Sequence, residues 1–475
     1  MRRTSLIAKT LLRLRASRVA GPALALMGAL LILVQSAAAE PLDLDDYLSL
    51  VVQNSRALKL ADSDRSMARS RKREATSAAL PHVFAEAGYV RNFTDVYMYV
   101  DPGALGGGDD NGDGGAEEGN GGSEEVKLKI NRSNEFTAGA ALNQVIFNPS
   151  VFYAIKGAGQ YEELTDFVYD ASYQTIITQA KRLFYQGVLF EKVWEVRVSS
   201  EDSAHDNYLD VKKKYDNGVV SEFQMLQAEV RWKNSIPDTA RARRDYELVL
   251  NNLKTLAGIP VRDDLSLAVS MDDYPELPDS LDLEAVLARR PDYNTLLMEE
   301  KLNETNIKAS KSAYFPTLSG SLFGAYSAQS DRWELEQDNT VWSGSLTLSI
   351  PLFLGGSTRA RVQQARIGLE KSQLRVAQAR DDIYNELANI YLWMKESRGR
   401  IESAEATLRS AERAFSIAET TSRSGMTTQL ELKDARLGLD EARLNRYLAI
   451  YDYLAAYFEW ERAVGEVESI LTQGE

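Results

Sequence analysis

The stretch VQQARIGLEKSQLRVAQARDDIYNELANIYLWMKESRGRIESAEATLRSAERAFSIA, residues 362–418, carries one unbroken helical pattern. Apolar or small side chains recur at Val362, Ala365, Leu369, Val376, Ala379, Ile383, Leu387, Ile390, Met394, Ile401, Ala404, Leu408, Ala411, Phe415 and Ala418, with Ser372 and Ser397 in the two gaps. That is 56 residues in 16 steps, a period of 3.5, and a sustained 3.5 period means coiled-coil packing. One helix from Ser357 to Arg423 would run about 100 Å at 1.5 Å per residue, a length no globular domain uses. Gly425 ends it, and Thr427 or Thr428 can cap a return helix, so a tight helical hairpin is expected.

The same punctuation occurs earlier in the chain. Leu42-Asp43-Leu44-Asp45 returns as Leu281-Asp282-Leu283-Glu284, and Thr76-Ser77-Ala78-Ala79-Leu80-Pro81 as Lys311-Ser312-Ala313-Tyr314-Phe315-Pro316. Val145-Ile146-Phe147 answers Pro351-Leu352-Phe353, Tyr215 to Ser221 answers Ser422 to Thr428, and Leu256-Ala257-Gly258 answers Ala463-Val464-Gly465. The last three pairs are offset by 206, 207 and 207 residues, a constancy that indicates duplication. The expected order in each repeat is a short helix, two strands and two very long helices: residues 40–270 form the first repeat, with strands in about 82–147 and a hairpin at about 150–258. Residues 271–475 form the second, with strands in about 316–352 and a hairpin at about 357–470. Pro237 falls inside the first return helix and should kink it.

The strand regions alternate with period two. Leu318, Gly320, Leu322, Gly324 and Tyr326 interleave with Thr317, Ser319, Ser321 and Phe323, and Leu346, Leu348 and Ile350 with Ser345, Thr347 and Ser349. Such strands can face lipid on one side and a wet lumen on the other. Tyr97, Tyr99, Trp333 and Trp342 flank them where an aromatic girdle would sit, or pack as ordinary strand residues. Four strands cannot close a membrane barrel, which needs about eight or more; other chains would have to contribute. Between the first two strands, Asp101 to Glu125 holds ten Gly and eight acids, a composition with little to bury. Asp109-Asp110-Asn111-Gly112-Asp113-Gly114 matches half a calcium loop, but the pattern fails at Asn120 where Glu is needed.

The first 39 residues read as a Sec-type signal peptide: six cations and no acid, an apolar run from Ala23 to Val34, and Ala37-Ala38-Ala39 at the cleavage point. No later stretch is long and apolar enough for a transmembrane helix. The 475 residues include 55 Lys+Arg, 69 Asp+Glu, no Cys and two His, for a net charge of −14. Nucleic acid is therefore not an expected partner, a Cys/His zinc site lacks ligands, and a Cys nucleophile is excluded. No catalytic, metal or cofactor-binding residues are expected. A hydrolase using Asp381 and Asp382 fails on geometry, because adjacent helical residues point to different faces. Tyr447, Tyr451, Tyr453, Tyr457, Phe458 and Trp460 on the last helix are expected to pack between helices.

Arg290-Pro291-Asp292, Ala313 to Leu318, Ile350-Pro351-Leu352-Phe353-Leu354-Gly355-Gly356 and the turns at Gly218 and Gly425, in this order and duplicated, resemble the TolC-like outer-membrane efflux protein family over Leu42 to about Ile470. The resemblance implies a mainly α fold with a β membrane portion: a long antiparallel coiled-coil α-barrel, and four strands per chain contributing to a 12-stranded barrel in a homotrimer. It implies an exit duct in the outer membrane of a Gram-negative cell, with a large periplasmic part. Such a duct conducts substrates passively from an inner-membrane pump and a periplasmic adaptor of a tripartite efflux or type I secretion system. By the same resemblance the adaptor docks at Gly218, Val219, Ser221, Gly425, Met426 and Thr428, and Glu431 and Asp434 form acidic rings at the pore constriction. Ser422, Thr427 and Gln224 depart from the tyrosine, arginine and carboxylate of the family's closing network. The alternative is a periplasmic coiled-coil adaptor or scaffold that forms no pore, which explains the heptads but not the duplicated strand pairs.

Overall fold

The computed structural model describes residues 41–100, 126–278, 282–335, 338–424 and 426–467. The expected signal peptide and the acidic loop 101–125 lie outside these residues. The first repeat runs α1 (Leu44–Asn54), α2 (Arg56–Ser77), β1 (His82–Arg91), β2 (Tyr97–Val100), β3 (Val126–Lys129), β4 (Asn134–Phe147), α3 (Pro149–Asp216) and α4 (Glu222–Ala257). The second runs α5 (Leu283–Arg289), α6 (Pro291–Ser312), β5 (Thr317–Ser330), β6 (Asp338–Ser349), α7 (Ser357–Arg423) and α8 (Gln429–Val464). The described chain forms two compact units. One takes the chain up to Val51 with Leu183–Asp273; the other takes Val52–Arg182 and everything from Tyr274.

In the larger unit β1, β4, β5 and β6 form one antiparallel sheet in the order β1-β4-β5-β6. The duplication is visible in its register. His82 pairs with Asn143 and Tyr89 with Phe136 in the first hairpin; Thr317 pairs with Ser349 and Gly324 with Trp342 in the second. Adding 235 to the first strand and 206 to the second maps one set onto the other. Those are the sequence offsets of Pro81/Pro316 and Phe147/Phe353. The repeats join where β4 pairs with β5, from Asn134 opposite Ser330 to Phe147 opposite Leu318, with a bulge between Val145 and Phe147. A short ribbon, β2 with β3, extends the first hairpin beyond the two strands expected.

The 3.5-residue pattern predicts the buried face of α7 throughout. All seventeen positions from Val362 to Ala418 are buried or half-buried. The two serines fit because a hydroxyl can bond locally: Ser372 Oγ donates to the Leu369 carbonyl at 2.7 Å, and Ser397 Oγ accepts from Arg400 at 3.2 Å. Each repeat, however, has one very long helix and not two. The helices α3 and α7 have 68 and 67 residues, but the return helices α4 and α8 have 36 each. Both return helices stop at a left-handed glycine, Gly258 (φ 71°) and Gly465 (φ 77°). The other half of each long helix is covered by a 22-residue helix instead. Thus α2 meets α3 through Arg65 and Asp166 at 2.7 Å and Lys72 and Glu162 at 2.7 Å, and α6 meets α7 through Glu300 and Gln373 at 3.1 Å. In the smaller unit α4 lies on α3, with Trp194 and Tyr246 stacked at 5.9 Å. Pro237 lies within α4, which continues through it to Ala257.

On α8, Tyr453, Phe458 and Trp460 are buried. Tyr453 Oη donates to the Pro275 carbonyl at 2.8 Å and Trp460 meets Tyr391 of α7 at 6.1 Å, while Tyr447, Tyr451 and Tyr457 are half-buried. Among the strand aromatics, Trp333 stacks on Tyr89 at 5.0 Å and Trp342 lies over Gly324, where a Cβ would come within 2.8 Å of its ring.

Candidate functional site: the hairpin tips

Both tips are built by the same local chemistry, 207 residues apart. In the first, α3 ends in a Schellman turn: Gly218 N–H donates to the Tyr215 carbonyl at 2.8 Å and Val219 N–H to the Lys214 carbonyl at 2.8 Å. Gly218 takes φ 69°, which an L side chain rarely adopts. In the second tip Met426 N–H donates to the Thr421 carbonyl at 2.9 Å, the matching bond; Gly425 itself lies outside the described residues.

The return helices then start in capping boxes. Ser221 Oγ accepts from Gln224 N–H at 3.4 Å while Gln224 Oε1 accepts from Ser221 N–H at 3.3 Å. Thr428 Oγ1 accepts from Glu431 N–H at 3.2 Å, and Glu431 Oε2 accepts from Thr428 N–H at 2.8 Å and from its hydroxyl at 3.1 Å. Each box satisfies two helix-end donors reciprocally. Those bonds, from the Thr428 backbone first and its hydroxyl second, hold the Glu431 carboxyl below the usual glutamate range. Glu431 and Asp434 are both exposed on the first turns of α8. Ser422 is buried, and Thr427 hydrogen-bonds through its hydroxyl to the Thr421 hydroxyl at the end of α7.

Each tip also presents an apolar stripe that the sequence reading missed. Val219 and Met426 are 71% and 77% exposed. Phe223 and Val230 on α4 are exposed too, and so are Leu430 and Leu437, their counterparts at an offset of 207. The signal was the constant offset: apolar residues recurring at matched positions outside the heptad face.

The Arg290-Pro291-Asp292 motif lies elsewhere in the larger unit and is structural. The Arg290 guanidinium is 4% exposed. It donates to Asp292 Oδ1 and Oδ2 at 3.0 and 2.6 Å, to Glu386 Oε2 at 2.7 Å and to the Ala463 carbonyl at 3.0 Å. Glu386 Oε1 accepts from Arg462 at 2.5 Å, and Glu459 accepts from Arg462 at 2.9 Å and from Arg182 at 2.6 Å. Burial pushes the Asp292 carboxyl up, but the Arg290 guanidinium outweighs it and holds it below the usual range. This chain of charges ties α6, α7, α8 and α3 together. A second such cluster sits past β5, where Asp331 accepts from Lys129, Arg132 and Ser133 N–H at 3.0, 2.8 and 3.0 Å.

Residues 283–466 match the outer membrane efflux protein family. The alkaline protease secretion protein AprF of Pseudomonas aeruginosa is 21% identical over 334 residues, 68% of each chain. Among solved structures, the fold is similar to the Campylobacter jejuni CmeC outer membrane channel, with a TM-score of 0.74 at 17% identity over 90% of this chain and 88% of that one. It is also similar to the open state of the Neisseria gonorrhoeae MtrE outer membrane channel, with a TM-score of 0.69 at 17% identity over 89% and 88%.

Proposed function

We propose that this chain, which belongs to the TolC-like outer-membrane efflux protein family, assembles as a homotrimeric duct and passes substrates outward without catalysis or cofactor. It is an outer-membrane efflux or secretion channel, and the pore-free scaffold is set aside. The observation that carries the assembly is the sheet. Among the described residues its outer strands β1 and β6 are each paired along one edge only, to β4 and β5, and both are exposed along their whole length. Unpaired edges of that length are a liability unless closed. Three copies would supply 12 strands, inside the range of known membrane barrels, with leucines and aromatics outward toward outer-membrane lipid and serines and threonines inward.

The tips are the proposed docking site for a periplasmic adaptor, which would link the duct to an inner-membrane pump. The proposed docking positions are Gly218, Val219 and Ser221 at the first tip and Gly425, Met426 and Thr428 at the second, and at each tip its own stripe, Phe223 to Val230 or Leu430 to Leu437, supplies an apolar surface a partner helix would cover. Glu431 and Asp434 are the proposed constriction. Three residues apart on one helix face, they would form two acidic rings in a trimer that favour cations. Glu431 then serves twice, as ring and as cap. The N-terminal 39 residues would direct export and be removed.

Single-channel recording in a planar bilayer tests this. Cation-selective openings are expected, with selectivity reduced in Glu431→Gln/Asp434→Asn, which keeps the capping box. A purified protein that never conducts would overturn the duct; one that conducts with unchanged selectivity in the double variant would overturn the constriction.

A further inference from the structure

The internal duplication fixes how one copy joins the next. We infer that β6 of one copy pairs antiparallel with β1 of a second copy of this chain in the register that places Leu346 opposite Tyr89. The inference rests on the trimeric reading above, and it adds the residue-level seam.

The argument starts from direction. Along the order β1-β4-β5-β6 each strand is antiparallel to its neighbour, so β6 runs opposite to β1 and the two edges can pair without reversing either. Different surfaces meet, which makes the contact head-to-tail, and such contacts form a ring when the rotation between copies closes, as the trimeric reading requires.

The seam between repeats inside the chain is then a template. In it β4, the second strand of the first repeat, pairs with β5, the first strand of the second. Ala140 lies opposite Gly324, Leu142 opposite Leu322 and Asn143 opposite Ser321. The hairpin registers fix the sum of the two offsets, and the sequence anchors Pro81/Pro316 and Phe147/Phe353 divide it: β4 maps onto β6 by adding 206, and β5 onto β1 by subtracting 235. Applied to the internal seam, this places Leu346 opposite Tyr89, Leu348 opposite Ala87 and Ser349 opposite Glu86 of the next copy.

The faces agree independently. Phe136, Ala138 and Ala140 share a face with Tyr89 through the β1–β4 pairs and with Gly324 through β4–β5, and Gly324 shares it with Trp342 and Leu346 through β5–β6. The inferred register continues that apolar face across the seam, with Leu346 (74% exposed) beside Tyr89 (41% exposed). Ser345, Thr347 and Ser349 stay on the opposite face. A slip of one residue would break both faces, since side chains alternate along a strand. A slip of two would preserve them, and only the duplication excludes it.

Having no cysteine, the chain suits disulfide trapping. The pairs Leu346→Cys/Tyr89→Cys and Ser345→Cys/Val90→Cys are adjacent in the register, so one of them occupies a narrow site. Controls shifted by two residues are Leu346→Cys/Ala87→Cys and Leu346→Cys/Arg91→Cys. Their diagonal separation of roughly 7–8 Å exceeds the Cα range of roughly 4.4–6.8 Å that a disulfide tolerates. After oxidation of the detergent-solubilised protein, covalent dimers and trimers are expected from at least one in-register pair and at background level from the shifted ones. Shifted pairs that link better, or no linkage from any pair in a particle of trimer size, would overturn the register and leave the trimer standing. Sedimentation of every variant and of the unmodified chain as monomers would sink the assembly itself.

Discussion

The Oε2 atom of Glu431 accepts from the backbone N–H of Thr428 at 2.8 Å, so the carboxylate proposed to line the pore also caps the helix that carries it. The first tip does the same with an amide, Gln224. The two tips should therefore differ in their response to acid. The folded pKa of Glu431 is depressed, so its contribution is complete above the ordinary glutamate value of 4.5 and is lost as pH falls from there through the folded value. Amide hydrogen exchange should show residues 428–432 losing protection relative to 221–225 as the pH drops below that value. The difference should vanish in Glu431→Gln; equal behaviour of both tips in the unmodified chain would contradict the assignment.

Glu386 joins Arg290 and Arg462. Removing it leaves the buried Arg290 guanidinium with Asp292 and a carbonyl alone. Glu386→Ala should destabilise the larger unit by about 3 kcal/mol, at the low end for breaking a buried pair because Asp292 remains. Glu386→Gln should cost less, since an amide oxygen still accepts one bond. Denaturant unfolding measures both, and equal losses would assign the effect to packing and not to charge.

Two glycines separate backbone strain from crowding. Gly218 (φ 69°) has open space where a Cβ would project, whereas at Gly465 (φ 77°) a Cβ would meet the Arg289 backbone at 3.1 Å. Gly218→Ala should cost about 1 kcal/mol, the left-handed penalty alone. Gly465→Ala should cost about 1 kcal/mol more, as the α8 C-terminus shifts off the α5–α6 corner. Thermal melts of the two variants should preserve that order.

Met394 is fully buried at a heptad position of α7. Met394→Ala should cost about 2–5 kcal/mol through lost burial and the residual cavity. Leu374→Ala, at an exposed position of the same helix, should stay within about 0.5 kcal/mol in the isolated chain. A larger loss for Leu374→Ala only in the assembled particle would locate that leucine at a contact between copies.

The helical face, the duplication and the positions of both turns were legible in residues alone. A 3.5-residue period has one physical solution over sixteen steps, and glycine with a hydroxyl three residues later specifies a Schellman turn followed by a cap. Even the capping boxes were written out as Ser221-Glu222-Phe223-Gln224 and Thr428-Gln429-Leu430-Glu431. The tertiary structure alone decided where α4 and α8 stop relative to their long partners, that Arg290 is buried against Glu386, and that β4 pairs with β5. A helix's buried stripe reports that something covers it, not which segment does. Arg290 and Glu386 are 96 residues apart, and β4 is separated from β5 by the whole hairpin of α3 and α4. Local pattern fixes faces and ends because those depend on neighbours along the chain; partners distant in sequence are chosen only when the faces are brought together.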